Sequence, residues 1–340
     1  MDIADVGTIP DLNAWMAEHD LSGFWERDTR QPRLEPHLWK WEHIHAALMK
    51  ANDVVEMDDT GATGRRTVNP RNPSLGGRGN PTLGLAIQCL RPGEVAKAHR
   101  HTMKAIRFVV KGDPKCYTIV DEEPMPMEDG DLLVTPGLSW HDHYNGGDET
   151  VIWLDGVDAP LTHYLVKGIT EPYPGPQQPR RKPVGYSNLV MGYAKPTWLK
   201  GERATPPFRY KWTDTLASLN ALKEAETEPD PVDGYRLMYA NPLTGGPTFP
   251  TFACEIQLVI PSQKTMAHRH NCTTIYHVFR GAGTTIADGK RMEWSEGDQF
   301  VIPPMSTHQH ENDSGQDAIL FSISDWPTTS ALGLYDEEVL

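Results

Sequence analysis

Cysteine is scarce in this chain. Its 340 residues include 4, at Cys89, Cys116, Cys254 and Cys272, scattered and without a Cys-x-x-Cys pair. That usage argues against a disulfide framework and against a cysteine zinc site. Basic residues are in deficit as well, 32 Lys and Arg against 46 Asp and Glu, for a net charge of −14. A surface of that sign argues against nucleic acid as a partner. No apolar run approaches the roughly 20 residues that span a bilayer. The opening Met1-Asp-Ile-Ala-Asp5 lacks the basic-then-apolar order of a signal peptide. These absences lead us to expect a cytoplasmic protein with no membrane partner.

Histidine is what the chain has in pattern. Eight of its 14 histidines fall in four His-x-His units: His99-Arg-His101, His141-Asp-His143, His268-Arg-His270 and His308-Gln-His310. His99 and His268 lie 169 positions apart, and His141 and His308 lie 167 apart, which marks an internal duplication. The flanks repeat too. Gly130-Asp131 leads through an apolar stretch to Pro136, His141 and Asn145, and Gly297-Asp298 leads likewise to Pro303, His308 and Asn312. Each copy reads as a Gly-Asp turn, a strand, a proline bend and then the histidine.

On a strand, residues i and i+2 share a face, so a His-x-His aims two imidazoles into one space and a neighbouring strand supplies a third. Three such nitrogens suit iron, zinc or another divalent transition metal. They leave open coordination positions, yet do not by themselves separate iron from zinc. A further unit, His43-Glu-His45, falls in a helical stretch, where its side chains point about 200° apart and cannot share a metal.

Helical spacing marks residues 10–27 and a second segment from about Pro36 to Asn52, with Leu38, Trp41, Ile44, His45 and Leu48 on one face. Residues 61–79 read as a loop. Strands are expected at 82–90, 105–110, 116–120, 131–135 and 150–154, and again near 252–260, 275–280, 299–303 and 318–323. Between the two sets, eight prolines from Pro172 to Pro207 mark a linker, followed by an amphipathic helix from Asp214 to about Glu228. The expected division is a helical arm (1–60), a first β domain (61–167), a linker with its helix (168–234) and a second β domain (235–340).

The paired motifs resemble the cupin signature, and their duplication resembles a bicupin: a mainly β chain of two jelly-roll β-barrels, here with N-terminal and linker helices. The first repeat resembles a narrower family. His99-Arg-His-Thr-Met-Lys-Ala-Ile-Arg-Phe-Val-Val110, Trp140-His-Asp-His-Tyr-Asn145 and Trp153-Leu-Asp-Gly-Val-Asp158 are similar to gentisate 1,2-dioxygenases. So are Leu38-Trp-Lys-Trp41, Asn72-Pro-Ser-Leu-Gly-Gly77 and Asn241-Pro-Leu-Thr-Gly-Gly246. The resemblance runs from about Leu38 to Ser324.

It implies Fe(II) on His99, His101 and His141, and an aromatic hydroxy acid and O2 as substrates. It also implies Arg107 and Arg65 on the substrate carboxylate, Gln88 and Asp155 in the pocket wall, His143 as the acid–base group, and a homotetramer. The sequence departs from the pattern in three places. The glutamate that many cupins carry after the His-x-His is missing, its slot falling near Ile106 and Ile275. Gly84 stands where the family has an aromatic residue, and Met103 where it has a more polar one. A glycine at 84 enlarges or reshapes the pocket. That admits 5-nitrosalicylate, a 5-halosalicylate or 1-hydroxy-2-naphthoate beside gentisate.

The two copies differ around their histidines. Arg107 follows His101 by six residues on the metal-facing side, and Tyr276 occupies the matching position. A buried arginine there needs an anion: a substrate carboxylate, or else Asp155 or Asp131. Asp155 is placed to orient a histidine. The first barrel is therefore expected to be catalytic, with His268, His270 and His308 as a possible second metal site. A non-catalytic metal-binding bicupin, and a cupin isomerase or decarboxylase using manganese or zinc, are the competing classes.

Overall fold

The computed structural model describes residues 3–23, 25, 34–57, 65–76, 79–192, 194–198, 205–225 and 228–340. Contacts group the chain into two units, residues 1–33 and 34–340. The first holds helix α1 (Ile9–Glu18), started by Thr8, whose hydroxyl accepts from the Asp11 amide, and by a proline in the first turn. The expected helix over 10–27 stops at Glu18. Residues 19–23 beyond it are turn and irregular chain, and residues 24, 26 and 27 of the expected span lie outside the described residues.

The second unit is mainly β. Strand β1 (His37–Trp39) and helix α2 (Trp41–Val54) come first, then β2 (Thr67–Val68), β3 (Gly84–Leu90), β4 (Val95–His101) and β5 (Ala105–Lys111). Next are β6 (Asp113–Val120), β7 (Glu123–Met127), β8 (Leu132–Thr135), β9 (His141–Asn145) and β10 (Val151–Val157). Helix α3 (Ala159–Tyr164), β11 (Thr170–Pro172), α4 (Tyr186–Met191), β12 (Phe208–Tyr210) and α5 (Trp212–Ala225) follow. The second repeat has β13 (Tyr235–Met238), β14 (Ala253–Val259), β15 (His268–His270), β16 (Thr274–Arg280) and β17 (Ala282–Ala287). It ends with β18 (Lys290–Ser295), β19 (Gln299–Ile302), β20 (His308–Glu311), β21 (Ala318–Ser324), α6 (Trp326–Ala331) and β22 (Glu337–Val339).

Four antiparallel sheets make two barrels. The first barrel sets β12-β8-β5-β10-β3-β2 against β11-β4-β9-β6-β7, and the second sets β1-β19-β16-β21-β14-β13 against β18-β17-β20-β15-β22. Period-2 alternation sorts the side chains. Leu90, Val109, Leu133 and Trp153 fill the first barrel, Val259, Val278, Phe300 and Leu320 the second. The opposite faces of the six-stranded sheets bury a shared core, in which Phe108 stacks on Phe321 at 4.1 Å.

The strand exchange between barrels departs from the expected domain order. β1 precedes the first barrel yet closes the edge of the second, while β12 precedes the second barrel and closes the edge of the first. Residues 37–39, expected to begin the second helix, are thus drawn out into a strand. Helix α2 begins at Trp41, whose amide donates to Asp298 Oδ1 at 2.7 Å; likewise the Trp212 amide donates to Asp131 Oδ1 at 2.9 Å. This explains the repeated Gly-Asp turn. Gly130 and Gly297 adopt φ of 80° and 90°, and a Cβ on either would run into the Trp212 or Trp41 ring. The proline-rich segment is not a bare linker: β11 pairs with β4, and the Gln178 amide donates to Asp142.

Candidate metal centre and active site

Strand β4 presents His99 and His101 on one face, and the register with β9 sets His141 directly opposite His99. The ring centroids lie 5.5 Å (99–101), 4.4 Å (99–141) and 4.8 Å (101–141) apart. One ligating atom from each lies within 4.8 Å of the others. Main-chain carbonyls hold the outer nitrogens: Nδ1 of His99 meets Lys97 O at 2.9 Å, of His101 Met103 O at 2.8 Å, and of His141 Ser139 O at 3.0 Å. A carbonyl only accepts, so each Nδ1 carries the hydrogen and each Nε2 keeps its lone pair. His141 Nε2 is buried without a partner.

Burial, helped by the charge of Arg65, pushes His99 down to about 3, and burial with Arg107 pushes His101 down to about 4. Burial holds His141 well below the ordinary imidazole range. Three neutral imidazoles with inward lone pairs are what a divalent transition metal requires, and the residues fit one.

Arg65, Arg107 and His143 gather around this cluster, and Gln88 and Gly84 lie on β3 of the facing sheet. Arg107 on β5 is opposite Asp155 on β10; their Nε and Oδ1 lie 3.2 Å apart, and Arg107 Nη1 donates to Thr135 Oγ1 at 2.5 Å. Arg65 stands over the His99 ring, its Nη2 3.4 Å from both ring nitrogens, and its Nη1 is buried without a partner. Burial first, then the neighbouring Arg107, lowers Arg65 to about 10. Gln88, 1% exposed, keeps an unpartnered Nε2. Gly84 lies two register steps along the same face of β3, across from Val157, and lines a cavity of about 350 Å³ that also reaches Ile275 and Gln299 and whose lining holds none of the three histidines. A Cβ there would sit 3.2 Å from Val157 Cγ2. His143 shares the inner face of β9 with His141, and its Nε2 is also buried and unpartnered.

The role expected of Asp155 needs correction. Asp155 does not orient a histidine, because carbonyls already occupy all three Nδ1 positions; it steadies Arg107 and accepts from Trp153 Nε1 at 3.2 Å. The internal ion pair foreseen for Arg107 is therefore present. Asn72 caps the turn at Pro73–Leu75, while Gly77 of that motif lies outside the described residues.

The Cupin domain family matches residues 86–157 and 256–324, one stretch in each barrel. A 1-hydroxy-2-naphthoate 1,2-dioxygenase from Nocardioides sp. (strain KP7) is 36% identical, over 98% of this chain and 89% of that one. A 5-aminosalicylate 1,2-dioxygenase from Comamonas sp is 38% identical, over 96% and 89%. The crystal structure of salicylate 1,2-dioxygenase from Pseudoaminobacter salicylatoxidans as its gentisate adduct superposes with a TM-score of 0.88 at 29% identity, covering 100% of this chain and 96% of that one.

This chain belongs to the bicupin family of gentisate and salicylate 1,2-dioxygenases. For a member of that family, the groups that sequence reasoning overlooked are those supporting the histidines and Arg107. Thr118 Oγ1 meets His143 Nδ1 at 2.8 Å, the Trp153 ring packs 5.1 Å from His143, and Thr135 holds Arg107. Each sits at an inward position of an expected strand, a signal available but undirected without the register. The exchange of β1 and β12 had a clearer trace: Lys40-Trp41 recurs as Lys211-Trp212.

Proposed function

We propose that this bicupin opens gentisate or a related salicylate between the carboxyl-bearing carbon and its hydroxylated neighbour, placing both atoms of O2 in the product; gentisate would give maleylpyruvate. The observation that carries this reading is a pair of buried guanidiniums, Arg65 and Arg107, beside three neutral histidines. Two buried cations next to a metal dication require an anion beyond Asp155, and an aromatic carboxylate supplies it. His99, His101 and His141 would hold Fe(II), which when bound relays electrons from the ring to oxygen, as zinc does not.

The chain's own residues set geometry and protons. Asp155 and Thr135 fix Arg107 for the carboxylate, Arg65 is the second cation, and Gln88 Nε2 is a free donor for a substrate oxygen. Thr118 Oγ1 lies 2.8 Å from His143 Nδ1 and 3.3 Å from Met127 Sδ, and in the reading proposed here the hydroxyl accepts from that nitrogen. That leaves the lone pair of His143 Nε2 toward the cavity, where it takes the proton of the substrate hydroxyl.

Gly84 favours a second reading of the same chemistry, in which the preferred ring is a 5-substituted salicylate or 1-hydroxy-2-naphthoate, since the glycine leaves space an aromatic side chain would fill. The reading also includes a homotetramer in the cytoplasm, consistent with four free buried thiols, and barrels bounded at 61–167 and 235–340. Oxygen uptake by anaerobically Fe(II)-loaded protein against gentisate, salicylate, 5-nitrosalicylate, 5-chlorosalicylate and 1-hydroxy-2-naphthoate tests it. Preference for gentisate makes Gly84 neutral, preference for a 5-substituted or bicyclic acid makes it decisive, and no uptake with any of them rejects the enzyme reading in favour of a binding protein.

A further inference from the structure

The second barrel repeats the histidine geometry of the first with different surroundings. His268, His270 and His308 have ring centroids 5.7 Å (268–270), 4.1 Å (268–308) and 5.0 Å (270–308) apart. Their Nδ1 atoms again turn outward, to the carbonyls of Met266 at 3.4 Å, Cys272 at 3.2 Å and Ser306 at 3.0 Å, with Cys272 Sγ a further 3.1 Å neighbour of His270 Nδ1. The three Nε2 lone pairs therefore converge, and His308 Nε2 is buried without a partner. An inward-facing, unpartnered nitrogen in a three-histidine cluster is what a metal ion satisfies.

The positions around the cluster have changed charge. Sheet register places Tyr276 where Arg107 stands, Ser322 where Asp155 stands and Glu255 where Ala86 stands. The cluster opens into a cavity of about 960 Å³ whose lining includes five carboxylates, Glu228, Asp230, Asp233, Glu255 and Glu337, and one guanidinium, Arg236. That guanidinium is already taken: Nη1 lies 2.6 Å from Asp233 Oδ1, and Nη2 is in close contact with Glu255. Glu337, on the final strand, pairs across from His270. Among the described residues a carboxylate ligand would find no free cation here, and metal dications would be drawn in.

We propose that His268, His270 and His308 form a second divalent-metal site whose acidic cavity concentrates cations and shuts out aromatic carboxylates, so that this barrel holds metal without binding the acid. The inference concerns the second barrel alone and is read without turnover, so failure of the ring-cleavage reading leaves it intact.

The test uses full-length protein stripped with chelator, reloaded with Co(II), desalted and analysed for metal per chain. Wild type should hold two ions, the double variant His99→Ala/His101→Ala one, and His268→Ala/His270→Ala one. One ion in wild type together with none in His99→Ala/His101→Ala would overturn the site, and the wild-type count stands even if a variant misfolds. Salicylate is then titrated against the Co(II) absorption bands. It should shift them in His268→Ala/His270→Ala protein, and bind at least about tenfold more weakly to His99→Ala/His101→Ala protein, the scale of one unpaired charge nearby. Equal affinity for both would overturn the charge selection.

Discussion

Across from Asp155 the first barrel places Arg107; across from Ser322, at the same register, the second barrel places Tyr276. One barrel therefore presents two buried guanidiniums to its histidines. The other presents a single guanidinium held by two carboxylates. The histidines themselves hardly differ. Their placement depends on backbone features, the i, i+2 spacing and carbonyls that set each tautomer, which survive exchange of the side chains around them. Substrate chemistry rests on a few side chains from neighbouring strands, and those can change without disturbing the ligand geometry.

The sharpest way to break this comparison is to remove one ligand from each barrel. His101→Ala should abolish ring cleavage, whereas His270→Ala should leave it within about twofold, because the two sites share no partner. Oxygen uptake with metal content measured alongside decides it, and loss of turnover in His270→Ala with first-barrel metal retained would reverse the assignment of the barrels.

A smaller effect is expected from the charged residues. Arg107→Ala should lower kcat/KM for an aromatic acid by roughly 10- to 150-fold, through KM, since a charge-assisted hydrogen bond contributes about 1.5–3 kcal/mol. Arg107→Lys, which keeps a cation for Asp155 but not the planar fork, should fall between that variant and wild type. Tyr276→Phe should do nothing to KM. An unchanged KM in Arg107→Ala would remove the carboxylate from Arg107.

The exchanged strands offer a comparison in stability. Asp131 is buried against a buried Arg209, whereas Asp298 pairs with Lys40, which is 40% exposed. Asp131→Asn should cost about 2 kcal/mol and Asp298→Asn about 1 kcal/mol, because solvent screens the second pair, whereas the buried Arg209 is left with only Glu128, itself half exposed. Thermal melts of the two variants under one buffer would show the order, and equal losses would mean that helix capping outweighs the ion pair.

Two finer effects concern the first site's width and the charge state of both clusters. Gly84→Phe should reduce turnover of 1-hydroxy-2-naphthoate relative to gentisate by about tenfold, the scale of a steric change in an apolar pocket. If the ratio holds steady, Gly84 does not shape the pocket. In the metal-free protein, burial depresses His99, His101, His270 and His310 to about 3, 4, 4 and 3. Below about pH 6.5 the unfolded chain binds protons that the folded chain refuses, so stability should fall as pH drops from 6.5 toward 4. Asp155 and Asp325, raised by burial, oppose this trend at the acid end. Melting temperatures of chelator-treated protein from pH 7.5 to 5 measure the slope, and a flat profile would mean that the histidines charge inside the fold.

Much of the site is legible in the order of residues alone. Four His-x-His units at matched spacing predict two metal-binding clusters, because two ligands two residues apart on one strand need nothing from the rest of the chain. The Gly-Asp turns, the strands and the mainly β class follow from the same short-range periodicity. What the sequence left open lies across long separations. Whether Arg107 meets Asp155 or Asp131 depends on the register of β5 with β10, and Arg209, from a segment that read as linker, is the residue that takes Asp131. Trp41 starts its helix on an aspartate 257 residues away. Such pairings are decided by which edges and faces meet once the barrels close. A local pattern specifies how a strand alternates, but only the assembled sheets determine which strand lies beside it and which charges are buried together.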